Sequence, residues 1–368
     1  YVPMLVVLFL WRRTIMPSRL PPEGTMRAIV SGTRYILHSP PLRVILLRVL
    51  ALGVAGGSIT ALMPLVASSQ LHGDASAYGL LLGALGVGSV IGALTVGRMA
   101  RRLGEEGSAT LCALVLAVCL GVVAFSHSLV LSLAALLVGG VFWTSSITLF
   151  NIGIQMSAPR WVAGRALAAF QTAIAGGIAL GSWVWGVVAQ DWSVHAAVAV
   201  SALTIAATAL LRFGLRLPEA ESRDLDKARL GEFEVGLNLS GRSGPVAIEI
   251  EYHVDPDEAR AFYRVMQAVQ QIRSRNGAYD WTIARDIADP REWVERFHCP
   301  TWHDYLRMRD RLTREEQVTT EEAMAFHRGV SGPRVRRRLE RPYGSVRWRD
   351  ETRDEGLHEA LPVPISLS

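Results

Sequence analysis

Four side chains in the last third of this chain are of types that serve catalysis: His253, Asn276, Trp281 and His303. An imidazole can move a proton near neutral pH, and an amide and an indole can hold an aromatic substrate. No nucleophile–base spacing, metal-ligand set or glycine-rich nucleotide loop accompanies them. The sequence therefore assigns no catalytic residue, no metal and no cofactor. Cys112, Cys119 and Cys299 show no ligand spacing and read as small apolar filler.

A second set of polar groups sits in apolar surroundings. Residues 129–156 carry Trp143, Thr144, Ser145, Ser146, Asn151 and Gln155, and residues 166–188 carry Gln171, Thr172, Trp183 and Trp185. Asn151 and Gln155 are four apart and share a helix face. Amides and indoles suit a cavity for bulky, partly polar molecules, and Trp143, Asn151, Gln155, Gln171 and Thr172 are the candidates for its lining. The same groups would equally serve to bond neighbouring helices. Trp183 and Trp185, near a helix end, fit the aromatic belt of a membrane interface.

The elements that must position these groups are long and apolar. Six stretches, about 42–68, 78–99, 108–125, 129–156, 166–188 and 194–211, are each near the ~20 residues that cross a bilayer. Backbone groups in lipid must be satisfied internally, so these are predicted helices. Arginine falls in or beside every second gap: Arg12 to Arg43, then Arg98, Arg101 and Arg102, then Arg160 and Arg165, then Arg212 and Arg216. The gaps 70–77, 126–128 and 190–193 hold no Lys or Arg. The arginine side is expected to be cytoplasmic. Arg48, a few residues into its helix, is expected to snorkel to that side. Residues 1–11 are too short to span, and with no initiator Met they read as the end of an earlier helix. The chain is expected to be the C-terminal part of a longer protein. No intramembrane acid marks a proton relay in these spans, so any coupling residue is expected in the missing half.

Charge follows the same division. Residues 1–216 hold no lysine and only Glu23, Asp74, Glu105, Glu106 and Asp191 as acids, whereas residues 217–368 have an ordinary soluble balance. The net charge of +5 comes from membrane loops and does not imply nucleic-acid binding. Glycines at four-residue spacing, Gly53/Gly57, Gly79/Gly83, Gly88/Gly92 and Gly177/Gly181, predict close helix packing.

The run Gly92-Ala93-Leu94-Thr95-Val96-Gly97-Arg98-Met99-Ala100-Arg101-Arg102-Leu103-Gly104 resembles the loop motif of major facilitator superfamily transporters, although the usual acid is replaced by Val96 or Gly97. Gly92, Gly97, Arg98, Arg101 and Arg102 are its candidate functional residues. Arg34-Tyr35 with Ser39-Pro40-Pro41-Leu42-Arg43, Tyr78-Gly79-Leu80-Leu81, and Trp161-Val162-Ala163-Gly164-Arg165-Ala166-Leu167 resemble the enterobactin-exporter-like branch. The resemblance implies an all-α polytopic bundle, the C-terminal six-helix repeat. Residues 1–11 would end helix 6, 12–41 would form the central cytoplasmic loop, and 42–216 would be helices 7 to 12. The implied partners are the lipid bilayer, a small-molecule substrate and the missing N-terminal six-helix half.

Residues 217–244 read as a linker. Beyond them Val246 to Val254 alternates as a half-buried strand, and Asp257 opens a helix with Phe262, Val265, Met266, Val269 and Ile272 on one face. Strands follow at about 281–287 and 292–298, then a helix at 301–311, a capping box at Thr313-Arg314-Glu315-Glu316, and a last strand at 335–339. The order β-α-β-β-α-β predicts a small α+β ferredoxin-like domain over 245–341. It resembles the antibiotic-biosynthesis-monooxygenase type, through Trp281 to Asp286, Trp293 to Phe297 and Trp302 to Leu306. Its sheet face of Ile248, Ile250 and Tyr252 is expected to be open and to pair with a second copy. Residues 342–368 are expected to be disordered.

The function expected is therefore non-enzymatic: an exporter of a siderophore-like or drug-like molecule in a bacterial inner membrane, with the C-terminal domain cytoplasmic. The alternatives are a membrane-tethered enzyme with a monooxygenase-like domain and a non-transporting membrane sensor. A tether needs one span rather than a glycine-paired bundle.

Overall fold

The computed structural model describes residues 2–10, 21, 23–218, 235–237 and 239–340. Parts of the central loop, most of the linker and the whole expected tail lie outside the described residues. Two helices lead in, α1 (Val2–Leu10) and α2 (Thr25–Leu37). The bundle follows: α3 (Pro40–Ala61), α4 (Ala75–Phe125), α5 (Leu129–Ser157), α6 (Ala163–Asp191) and α7 (Val194–Thr208), which tightens into a 3₁₀ turn over Ala209–Phe213. Past α3, Pro64 interrupts the helix, and a π-helical turn (Val66–Gln70) extends it.

Among the described residues, five helices are long and apolar enough to cross a membrane. The 51 residues of α4 would extend about 77 Å as one helix, more than twice a bilayer core. The helix is broken at Gly104, whose φ of 70° is outside the helical region. Its two arms fold back on each other. The backbone at Gly88 lies against Leu137, while Gly139 meets the Cβ of Cys119. A straight helix would separate residues 88 and 119 by about 46 Å. The two stretches expected at 78–99 and 108–125 are thus the two arms of α4.

Glycine sets the approach of two helix pairs. A methyl group on Gly181 would stand 2.2 Å from the Val54 carbonyl oxygen, and one on Gly57 would stand 2.7 Å from the Gly181 backbone. One on Gly92 would stand 2.3 Å from the Val141 carbonyl oxygen, and one on Gly140 2.2 Å from that of Leu85. Backbone contact at this range maximises dispersion between α3 and α6 and between α4 and α5. Gly79 and Gly83 face open space, so among the described residues that pair has no packing partner.

The C-terminal domain contains β1 (Val246–His253), α8 (Ala259–Arg275), β2 (Tyr279–Arg285), β3 (Glu292–Cys299), α9 (Trp302–Arg311), α10 (Arg314–Ala325) and β4 (Arg334–Leu339). The sheet order is β2-β3-β1-β4, antiparallel throughout. Asp255, not Asp257, makes the cap before α8, accepting from the Asp257 amide across a 3₁₀ turn. The capping box at Thr313 and Glu316 forms as expected.

One expectation about this sheet fails. Ile248, Ile250 and Tyr252 are not an open face: they are 2%, 4% and 2% exposed. Phe262, Met266 and Val269 of α8 cover them in the same chain. An amphipathic helix following the strand buries that face locally, which alternation within one strand cannot reveal. The opposite face is ionic: Arg296 and Arg338 flank Glu249, and Arg336 meets Glu251 at 3.1 Å.

Candidate substrate wall and the cinched end of the bundle

The polar groups expected to line a cavity separate into two kinds. Some are consumed by helix packing. Trp143 lays its ring in the notch left by Gly56, where a methyl group would stand 2.3 Å from it. Ser145 Oγ donates to the Gly92 carbonyl at 3.3 Å, joining α5 to α4. Trp185 is buried, and its indole donates to the Val54 carbonyl at 2.8 Å. It pins α6 to α3 and does not belong to an interface belt. Trp183, two residues earlier and on another face, is 68% exposed, as a belt residue would be.

Others remain on the outer face of the bundle. Gln155 is exposed and donates to the Asn151 side chain at 2.5 Å, so the two amides partly satisfy each other along α5. Gln171 and Thr172 are exposed on α6, and the threonine hydroxyl returns to its own helix at the Ala168 carbonyl. Ala168, Ala175, Gly176 and Ala179 continue that exposed stripe. It is small and polar rather than greasy.

The loop motif also divides. Gly92 is a packing glycine, while Gly97 faces open space. Arg98, Arg101 and Arg102 are exposed at the Gly104 bend, and the structure gives them no packing role.

A dense set of polar contacts lies at this arginine-bearing end, and most were not legible in the sequence. Arg48 does not snorkel: it is 5% exposed, and its Nη2 donates to Glu106 Oε1 at 2.7 Å. Glu106 Oε2 accepts from the Leu217 amide at 2.8 Å. One carboxylate therefore ties α3, the second arm of α4 and the segment beyond α7. Arg48 is buried while Glu106 is 26% exposed, so removing the carboxylate would leave a buried guanidinium uncompensated.

A second carboxylate ties the C-terminal domain to the bundle. Arg311 of α9 donates to Glu23 at 2.6 Å. Arg165 of α6 and Arg307 of α9 stand 3.8 and 3.9 Å from the same carboxylate. Arg311 also lies 4.1 Å over the Trp161 ring, and Trp161 packs edge-on against Tyr35 of α2. Arg34 donates to the Gly277 carbonyl at 3.2 Å, and Arg275 covers Tyr35. Helix α2 is thus held between the start of α6 and the C-terminal domain. Burial lowers the pKa of Arg311; Glu23 opposes that shift, and the neighbouring Arg165 and Arg307 add to it. The available signal was scarcity: in 216 residues nearly free of acid, Glu23 and Glu106 each hold a cation.

Trp281 and Asn276, considered for chemistry in the C-terminal domain, are engaged in its structure. Glu295 is fully buried and accepts from Arg273 at 3.0 Å, Trp281 at 3.0 Å and Tyr252 at 3.1 Å. Burial and the adjacent Glu295 charge push the Tyr252 phenol well above its usual range. Asn276 donates to Glu316, which also holds Arg275. His303 packs on the backbone of Gly241, and the His253 amide donates to His327. Cys299 is buried, and its thiol is pushed up to about 12 by desolvation, with Asp304 adding to the shift. It is no nucleophile near neutral pH.

The transmembrane secretion effector family matches residues 1–343 of the chain, and the chain belongs to it. This makes it a major facilitator type of membrane transporter, multi-pass, and gives the apolar helices their setting. No curated protein and no solved structure matches the chain.

Proposed function

We propose that this transporter exports a small siderophore-like or drug-like molecule by alternating access across a bacterial inner membrane. The observation that carries the reading is the exposed stripe of α6: Gln171 and Thr172 beside Ala168, Ala175, Gly176 and Ala179. Lipid offers nothing to an amide, and small residues suit close approach by other helices. We read the stripe, with Asn151 and Gln155 of α5, as one wall of a cavity closed by a second six-helix repeat. The two halves would rock about a substrate held near the midplane.

The same reading places the arginine-bearing end and the C-terminal domain in the cytoplasm. The strand order β4-β1-β3-β2 with two helical crossovers supports reading the domain as ferredoxin-like, and the sequence motifs favour the enterobactin-exporter-like branch. Since Arg273, Trp281 and Tyr252 all spend their donors on Glu295, the domain reads as a docking module rather than an enzyme. Pairing of two copies would use its charged sheet face.

Two labelling experiments test this. Cysteines at Gly73 and Asp191 should react with an impermeant thiol reagent from outside intact cells, and cysteines at Glu105 and Gly164 should not. Thr172→Cys and Ala175→Cys should label in the full transporter and be protected by an exported substrate, whereas Val187→Cys, near the far end of the helix, should not be protected. A reversed sidedness, or protection absent at every α6 position while efflux proceeds, would refute the reading.

A further inference from the structure

Beyond the docking contacts, the junction between α2 and the C-terminal domain contains a cleft of about 430 Å³. Arg27, Arg242, His303 and Arg307 line it, together with the Glu23 carboxylate that Arg311 neutralises. It adjoins a hollow of about 660 Å³ that shares Gly24, Arg27 and Arg242 and adds Met26. The wall is built rather than incidental. The His303 amide donates to the Gly241 carbonyl, and the imidazole packs so closely on Gly241 that a methyl group there would stand 2.0 Å from it.

Charge at this junction is unbalanced. Among the described residues, Arg165, Arg307 and Arg311 crowd the Glu23 carboxylate, Arg307 also reaches Asp304, and Arg27 and Arg242 line the cleft beside them. The lowered pKa of Arg311 reflects burial first; Glu23 opposes the shift, and the neighbouring charges of Arg165 and Arg307 add to it. An anion of more than one negative oxygen would relieve it.

Helix α2 supplies a second, independent observation. Met26, Ile29, Val30 and Leu37 are 73%, 54%, 50% and 57% exposed. At 100° per residue they fall, with Thr33, on one narrow stripe, and Arg27 lies about a quarter turn away. The face of Gly32, Tyr35 and Ile36, centred about a third of a turn away, is buried against the protein. A helix held at the polar end of a membrane bundle with an exposed apolar stripe and flanking arginine has the form of an interfacial helix.

We propose that this cleft binds the headgroup of an anionic phospholipid, whose acyl chains run along Met26, Ile29 and Val30. Cleft and stripe meet at Met26 and Arg27, so one amphiphile satisfies both; a protein helix would cover the stripe and leave the arginines unneutralised. The lipid would then brace the contact between α2, α6 and the C-terminal domain. The inference does not depend on the direction of transport or on the substrate.

The test is native mass spectrometry of the full chain in detergent, with phosphatidylglycerol and phosphatidylcholine added at equal concentration. Phosphatidylglycerol should be retained at least tenfold better. Arg27→Gln with Arg242→Gln should weaken its retention about thirtyfold, taking about 1 kcal/mol for each arginine. Ile29→Ser with Val30→Ser should weaken it as well. If the double arginine variant melts early, Arg242→Gln alone, outside any helix or strand, should still give about a fivefold loss. Equal retention of the two lipids would overturn the proposal, as would arginine variants without effect. Glycerol phosphate binding as tightly as the lipid, with the stripe variant silent, would assign the cleft to a soluble anion instead. A photo-crosslinker at Ile29 that captures polypeptide rather than lipid would overturn it too.

Discussion

Replacing Glu23 by Gln should loosen the C-terminal domain from the bundle without unfolding either. The carboxylate is 13% exposed and takes a charge-assisted bond from Arg311 at 2.6 Å, the guanidinium being equally buried. Such a bond is worth about 1.5–3 kcal/mol. Arg165 and Arg307, at 3.8 and 3.9 Å, each add a few tenths after screening. The loss is about 3 kcal/mol, which is roughly 150-fold in the docked-to-undocked ratio. Undocking stays partial where Arg311 over Trp161 and Arg34 on Gly277 persist. Hydrogen–deuterium exchange of the full chain should show faster exchange in α2 and α9, with α8 and the sheet unchanged. In a cycle of Glu23→Gln, Arg311→Gln and the double variant, the Trp161 stacking cancels, and the coupling should be about 1.5–3 kcal/mol. Unchanged protection in α2, or strictly additive effects, would refute an ionic latch at Glu23.

The glycine contacts separate by position: Gly181→Ala places a methyl group against the Val54 carbonyl and should abolish a monodisperse species on size exclusion, whereas Gly83→Ala, facing open space, should be tolerated. In the C-terminal domain, Glu295→Gln strands the Arg273 guanidinium, 9% exposed, without its carboxylate. It should cost about 3–5 kcal/mol in chemical denaturation followed by the sheet's circular dichroism. A loss below about 1 kcal/mol would show that Glu295 is not the anchor of that core.

The sequence by itself determined the helical bundle, its alternation of arginine-bearing and arginine-free ends, and the strand–helix order of the C-terminal domain. These follow from local rules: apolar length against bilayer thickness, charge against side, and period two against period 3.6. It also marked Gly57, Gly92, Gly177 and Gly181, because small residues at four-residue spacing already form one helix face. The tertiary structure decided which partner each face meets. Trp185 and Trp183 are two residues apart and of one type, yet the first pins α3 and the second faces outward, because a helix turns about 200° between them. Ile250 was exposed or buried according to whether α8 folded over its own sheet. Arg48 found Glu106 across 58 residues of sequence, and Arg311 found Glu23 across 288. No local pattern encodes such pairs: an isolated arginine in a sequence looks the same whether it is solvated, snorkelling or bound. Only the packing of α2 between α6 and the C-terminal domain removed water from Glu23 and made one carboxylate the joint of two domains.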